Sequence, residues 1–408
     1  MDHALSGNVA WVLVSAALVL FMTPGLAFFY GGMDRTRNVL NMLMMNFYCV
    51  LVVPIIWVVV GYSLAQEPFD AKFLGGFGEV MLKGVGIGAD GGMKMATIAY
   101  LGMFAAITPA LISGAVADRM KFTAWAVFVP VWSIVVYLPV FKWVFGGWLG
   151  QRGSLDFAGG TAIHVNAGIA ALAAVLVLGK RRHWPQEGHP PHSMPLVMIG
   201  TGILWFGWFG FNAGSALGAN GVAAQAFMNS FLAAAAGGAA WVFVEWKRDG
   251  HPTNLGAASG IVAGLVAITP AAGYVSGVAP IVIGLVAGVV CSYTVRLKLK
   301  FLFDDALDVV GVHFVGGLVG SLLIGLFANP HFFDATFRKG LFFGGGVRLL
   351  LEQALANGVA IVWSFVVTFA IMKVLKATMG VRVEAEDEAT GLDLALHGET
   401  AYHNGGQY

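Results

Sequence analysis

Apolar residues run along this chain in long blocks separated by short polar stretches. A helix needs about 20 mostly apolar residues to cross a bilayer. Blocks near that length lie at 8–32, 38–64, 96–117, 122–141, 160–179, 194–217, 222–246, 255–273, 278–297, 307–328 and 352–376. The pattern predicts an all-α polytopic membrane protein with eleven transmembrane helices. Pro270, Gly273, Gly277 and Pro280 crowd the junction of the eighth and ninth blocks. Met1-Asp2-His3 precedes an apolar run that continues beyond Leu20. Without a basic n-region it reads as a spanning helix rather than a cleaved leader.

The charges between the blocks orient them. With the N-terminus outside, the cytoplasmic side holds Arg35, Arg37, Arg119, Lys121, Lys180, Arg181, Arg182, Lys247, Arg248, Arg296, Lys298, Lys300, Lys373, Lys376 and Arg382. That is fifteen of the 23 basic residues, although the external loops are longer. The positive-inside rule therefore predicts N-out, C-in, which an odd helix number permits. Residues 1–378 form the transmembrane domain and 379–408 a cytoplasmic tail.

Composition narrows the function classes. The chain is 58% hydrophobic and 11% charged, against about 25% charged in a soluble domain, so most of its surface must face lipid. A formal net charge of +1 gives no electrostatic case for a nucleic-acid partner. Cys49 and Cys291 lie in apolar runs and read as two lone membrane thiols. Gly86-Ile87-Gly88-Ala89-Asp90-Gly91 matches G-x-G-x-x-G, but neither the strand nor the helix start of a dinucleotide site flanks it, so it reads as a turn. Gly256, Gly260 and Gly264, and Gly284 with Gly288, stand at G-x-x-x-G spacing, which permits close helix packing in lipid.

Two short patterns recur. Ala106-Ile107-Thr108-Pro109-Ala110 returns as Ala267-Ile268-Thr269-Pro270-Ala271, and His164-x-x-x-Gly168 returns as His313-x-x-x-Gly317. Both pairs lie five helices apart. An odd offset reverses direction across the membrane, so helices 1–5 and 6–10 read as inverted repeats, with a final helix outside them. Transporters often place their path at such an interface, near the midplane.

Of ten histidines, only His164 and His313 lie well inside predicted spans. An ionisable group at that depth is costly and usually faces an interior path or a partner, and imidazole exchanges protons near neutral pH. A hydrogen bond tying two helices is the alternative for either one alone. Zinc needs three or four ligands, and no further ligand accompanies either histidine, so no metal or other cofactor is expected. His183, His189 and His192 fall in a proline-rich loop and read as solvated. No polar catalytic cluster is evident, so the chain does not read as an enzyme.

Phe21-Met22-Thr23-Pro24-Gly25 with Phe29-Tyr30-Gly31-Gly32 resembles the first helix of the ammonium transporter (Amt/Rh) family, bacterial Amt type. Leu155-Asp156-Phe157-Ala158-Gly159-Gly160 with His164 resembles its most specific signature. Gly207 to Ser215, Asp308 with Gly311-Val312-His313, and Gly391-Leu392-Asp393 with His397-Gly398-Glu399 and Ala401-Tyr402 are similar to its sixth-helix, tenth-helix and tail motifs.

The resemblance implies twin pore histidines at His164 and His313, and a gate of stacked rings at Phe104 and Phe211. It implies an external ammonium site with Ser215 and Tyr100, and vestibule-shaping residues at Asp156 and Trp208. It also implies a multi-pass protein of the cell membrane, a homotrimer with a pore in each subunit, and a tail that packs beneath the bundle and can transmit regulation by a PII-type protein. External NH4+ would lose its proton behind the gate, and NH3, with or without a relayed proton, would cross an apolar pore. NH4+ and K+ are similar in size, but only ammonium can deprotonate, and a dry pore penalises any bare cation. The alternative is an ammonium sensor on the same fold. Sensors usually carry a signalling domain after the last helix, where this sequence has about 30 residues.

One loop departs from the family. Where members commonly read His-Trp-Val-Trp-Gly-Gly-Gly, this chain reads Lys142-Trp143-Val144-Phe145-Gly146-Gly147-Trp148. Phe145 then takes the place of a tryptophan in the external site, and Lys142 brings a positive charge near the mouth. The alternative is that Trp148 swings into the site.

Overall fold

The computed structural model describes residues 3–402 apart from 89, 91, 187, 189 and 334. The sequence positions Ala89, Gly91 and His189 therefore lie outside the described residues. Among those described, ten helices are long and apolar enough to cross a membrane. They are α1 (Ala4–Met33), α2 (Val39–Gln66), α3 (Met93–Val116), α4 (Phe122–Arg152), α5 (Gly160–Leu178), α6 (Met194–Gly214), α7 (Gly221–Asp249), α9 (Ala279–Phe301), α10 (Val310–Phe327) and α11 (Arg348–Thr378). Between α7 and α9 runs a shorter apolar helix, α8 (Asn254–Ile268). The sequence predicts a span over 255–273 here. The helix gives way to turns at Thr269-Pro270. The same pentapeptide in α3 stays helical through Pro109.

Helix starts follow the sequence. The side chains of Ser193, Asn220 and Thr253 accept backbone N–H bonds from Leu196, Ala223 and Gly256 at the starts of α6, α7 and α8, satisfying donors that a helix start leaves open. Leu51, Ile55, Val362 and Val366 point outward from α2 and α11, as lipid-facing residues should.

Glycine sets the closest approaches. A Cβ at Gly200 of α6 would lie 2.4 Å from the Phe29 nitrogen of α1, and one at Gly207 would lie 2.3 Å from Met22 Cγ. The G-x-x-x-G positions serve one helix. Gly260, Gly264, Gly284 and Gly288 lie against α7 at Ala233 and Gly237, so α8 and α9 both seat in its glycine-notched face. Cys49 and Cys291 are free and buried.

At one end of the bundle the loops are locked by charge. Arg181 bridges Asp118 (3.0 Å) and Asp304 (2.8 Å), and all three are buried. Arg119 is also buried and donates to the carbonyls of Ala115, Ala117, Gly179 and Asp304. These two arginines of the orienting set thus tie loops together. The tail docks at the same end. Asn38 Oδ1 accepts from Leu392 N (2.8 Å), the Asp393 carboxylate accepts from Asn41 N (2.8 Å), and His397 Nε2 lies 3.0 Å from Asn41 Oδ1. His192 Nε2 lies 3.0 Å from the Tyr402 hydroxyl.

Candidate functional site

The site has an outer cavity, a pair of stacked rings and a lumen. The cavity, about 330 Å³, is lined by Tyr100, Phe104, Phe145, Asp156, Phe157 and Ser215 among others. Its inner wall includes Phe104, whose ring stacks on Phe211 with centroids 4.1 Å apart and planes 10° off parallel. Tyr100 lies 4.8 Å from Phe104. The Tyr100 and Ser215 hydroxyls both donate to the Phe211 carbonyl, at 2.7 and 3.0 Å, and their oxygens are 3.1 Å apart. Ser215 lines the cavity, and when its proton goes to that carbonyl its oxygen is left as an acceptor.

Phe145 lines this cavity and packs on Phe141, 4.8 Å between centroids. Trp148 does not line it; its indole lies against Phe73 and Trp143. Lys142 does not line the cavity either. It is buried, and its ammonium donates to the carbonyls of Pro68 and Phe69. The charge lies beside the mouth, 5.8 Å from the ring centroid of Phe69, but it is buried and held by backbone carbonyls.

Asp156 caps the start of α5. Its carboxylate accepts from the N–H groups of Gly159 (2.8 Å), Gly160 (2.7 Å), Thr161 (2.9 Å) and Ala162 (3.1 Å). A polar seam on α11 supports this loop. Gln353 accepts from Leu155 N and donates to Leu155 O, and Asn357 Oδ1 accepts from the Thr161 hydroxyl. The sequence reading begins the last helix at 352 and misses this role; Glu352, Gln353 and Asn357, polar in an otherwise apolar run, were the available signal.

Behind the rings, a lumen of about 10 Å³ is lined by Ile107, Leu111, Ile163, Val262, His164 and His313 among others, room for about one water. Its walls come from α1, α3, α5, α6, α8 and α10, three pairs of helices five apart in sequence. His164 and His313 each sit in a wide π-helical turn, Gly160–Val165 and Val310–Phe314, a local form that often marks functional positions. Their Nδ1 atoms are 3.2 Å apart and their rings nearly parallel, 15°. One Nδ1 must therefore donate to the other. His164 Nε2 is buried and has no hydrogen-bond partner.

Glycine allows this approach. A Cβ at Gly168 would stand 2.3 Å from the Phe314 nitrogen, and one at Gly317 would stand 2.9 Å from the Gly160 carbonyl. Gly168→Ala is expected to cost about 1–3 kcal/mol by overpacking and to shift the unfolding midpoint of the detergent-solubilised protein downward. An unchanged midpoint would show that the two turns can part without loss.

Two placements correct or extend the sequence reading. Trp208 belongs to the lumen rather than the vestibule. Its indole lies 5.4 Å from His164, nearly parallel, and its N–H donates to the Thr269 hydroxyl at 2.8 Å. Asp305, which the sequence reading passes over, repeats the work of Asp156. Its carboxylate accepts from Val309 N and Val310 N at the start of α10, eight residues before His313, as Asp156 stands eight before His164. That spacing was available as a signal. Burial pushes both carboxyls up to about 6, against the pull of the amides they cap and, at Asp305, of the Lys298 ammonium. Asp308, in the tenth-helix motif, pairs with Lys298 at 2.5 Å.

An all-helical bundle of membrane-crossing length, with buried histidines in an apolar lumen, defines a multi-pass membrane protein. Residues 10–402 match the Ammonium Transporter Family, and the chain belongs to it. It is 48% identical over 429 residues to "Ammonium transporter" of Mycobacterium tuberculosis (strain ATCC 25618 / H37Rv), covering 97% of this chain and 90% of that protein. The crystal structure of Saccharomyces cerevisiae Mep2 is similar with a TM-score of 0.88 and 34% identity, over 98% of this chain and 92% of that one. A structure titled "Sensor Amt Protein" matches with a TM-score of 0.89 and 27% identity, over 97% and 100%.

Proposed function

We propose that the chain moves ammonium across the cell membrane by taking NH4+ at the outer cavity, removing a proton behind the Phe104–Phe211 rings and passing NH3 through the lumen. The observation that carries this is the Nδ1-to-Nδ1 contact of His164 and His313 in a lumen otherwise lined by apolar groups. Outside, the Ser215 oxygen and the Tyr100, Phe104 and Phe145 rings suit a small cation that donates hydrogen bonds. At the rings the cation must shed water, and burying an unsolvated charge is prohibitive. Ammonium escapes that penalty by leaving its proton, and K+ cannot. The histidine pair can accept and pass a proton, and the open His164 Nε2 gives a passing NH3 a hydrogen-bond site. Asp156 shapes the vestibule by holding the start of α5, and Trp208 fixes the plane of His164.

In this reading α1–α11 all span, N-out and C-in, as inverted repeats plus α11, with residues 1–378 as the transport domain and 379–408 as the cytoplasmic tail. The helix pairs around the lumen and the matched Asp156–His164 and Asp305–His313 spacings support the repeat. The assembly is a homotrimer with a path in each subunit. The tail docked on Asn38 and Asn41 suits regulation by a PII-type partner.

The test is current recording on reconstituted protein under an ammonium gradient, with K+ as the control. Ammonium-dependent flux without K+ current is expected. A second reading, an ammonium sensor, draws on the likeness to the sensor protein; binding without flux would favour it.

Phe145→Trp tests the outer site. A tryptophan face attracts a cation more strongly than phenylalanine, and such contacts contribute about 0.5–2 kcal/mol. The half-saturation concentration for uptake is expected to fall about threefold or more. An unchanged or higher value would show that Phe145 is not a wall of the site.

A further inference from the structure

The segment that departs from the family is also the one that receives a strap from a distant loop. Trp148 N donates to Lys72 O at 2.9 Å, and Gln151 Nε2 donates to Asp70 O at 2.7 Å. Lys142 Nζ donates to Pro68 O at 2.7 Å and Phe69 O at 3.0 Å. A buried ammonium is tolerated only when its donors are met, and here the strap's carbonyls meet them, so the lysine and the strap fix each other.

The strap carries Phe69 to the outer cavity. Gly146 has φ +83, and a Cβ there would lie 2.7 Å from Phe69 Cζ and 2.7 Å from Phe69 O. The ring therefore rests on backbone that only glycine leaves bare, directly after Phe145. Phe69 and Gly146 line the same cavity as Phe145, Ser215 and Asp156.

We propose that Phe69 is a wall of the external cation site, positioned by Lys142, and that it supplies an aromatic face where Phe145 offers less than a tryptophan would. This rests on the reading that the outer cavity receives ammonium. Lys142 is thus a positioning residue that acts through Phe69. Phe69 is 60% exposed, and an unchanged unfolding midpoint in detergent for Phe69→Ala would separate a lost cation face from a lost fold.

Ammonium uptake by reconstituted protein, measured from low to saturating concentration, tests this. Phe69→Ala is expected to raise half-saturation about threefold or more, the scale of a cation–π contact, with saturating flux unchanged. Phe69→Trp is expected to lower it. In a Lys142→Met background, where the bonds to the Pro68 and Phe69 carbonyls are gone, Phe69→Ala is expected to change half-saturation less than it does alone, since coupled residues are not additive. Wild-type half-saturation in both Phe69 variants overturns the wall. An undiminished Phe69→Ala effect in the Lys142→Met background overturns the positioning role. Absence of uptake in the wild type overturns the transport reading itself, a result distinct from either.

Discussion

Replacing His164 or His313 with leucine is expected to cut ammonium-driven flux at least about tenfold or to admit K+ current. Positioned acid–base groups contribute about 10²–10⁴ to proton-transfer rates, and each histidine here works through the other. With one gone, the remaining Nδ1 loses its 3.2 Å partner and stands as an unmet polar atom in an apolar lumen. The leucine also adds volume where the lumen has room for about one water. Current and isotope uptake on each single variant, with K+ as the competing cation, measure both outcomes. Wild-type flux together with wild-type K+ exclusion in both variants would overturn the pair's role.

Asp156→Ala is expected to be the most destabilising single change at the site. Four N–H groups at the start of α5 converge on that carboxylate, and it is buried. Hydrogen bonds to a charged group contribute about 1.5–3 kcal/mol each, and buried donors left without a partner lose their hydration as well. Allowing for water reaching some of them, the loss should be about 3 kcal/mol or more. Asp156→Asn keeps one carbonyl acceptor and should fall between. Unfolding midpoints in detergent for the three proteins give the order, and an alanine variant as stable as the wild type would mean that the cap carries little. Flux should fall along the same order, because His164 sits in the turn that Asp156 holds.

Much of this was legible because lipid makes polar residues conspicuous. A histidine amid aliphatic residues has few roles open to it, so His164 and His313 stood out, and their matched glycines pointed to a shared environment. The Phe104 and Phe211 rings came from the motif resemblance, and the structure brings them into contact. What stayed hidden depended on partners distant in sequence. Lys142 reads as a charge at the mouth until the carbonyls of Pro68 and Phe69 claim it. The choice between Phe145 and Trp148 turns on loop threading, which the strap at 68–72 sets. Trp208 lies on a recognisable helix face, but its side of the ring stack depends on Thr269 and His164. The end of α8 depends on tertiary context, since an identical pentapeptide stays helical in α3.

The paired aspartate-to-histidine spacings have a consequence for direction. From Asp156 to His164, and from Asp305 to His313, the chain offers the same groups at the same interval along oppositely repeated halves. On the proposed transport reading, a traveller at the centre meets an imidazole whichever way it came. On that reading the pair itself gives no direction. Any preference for inward movement must come from the unlike ends, an aromatic antechamber at one and a lattice of buried ion pairs with a docked tail at the other, or from the gradients across the membrane.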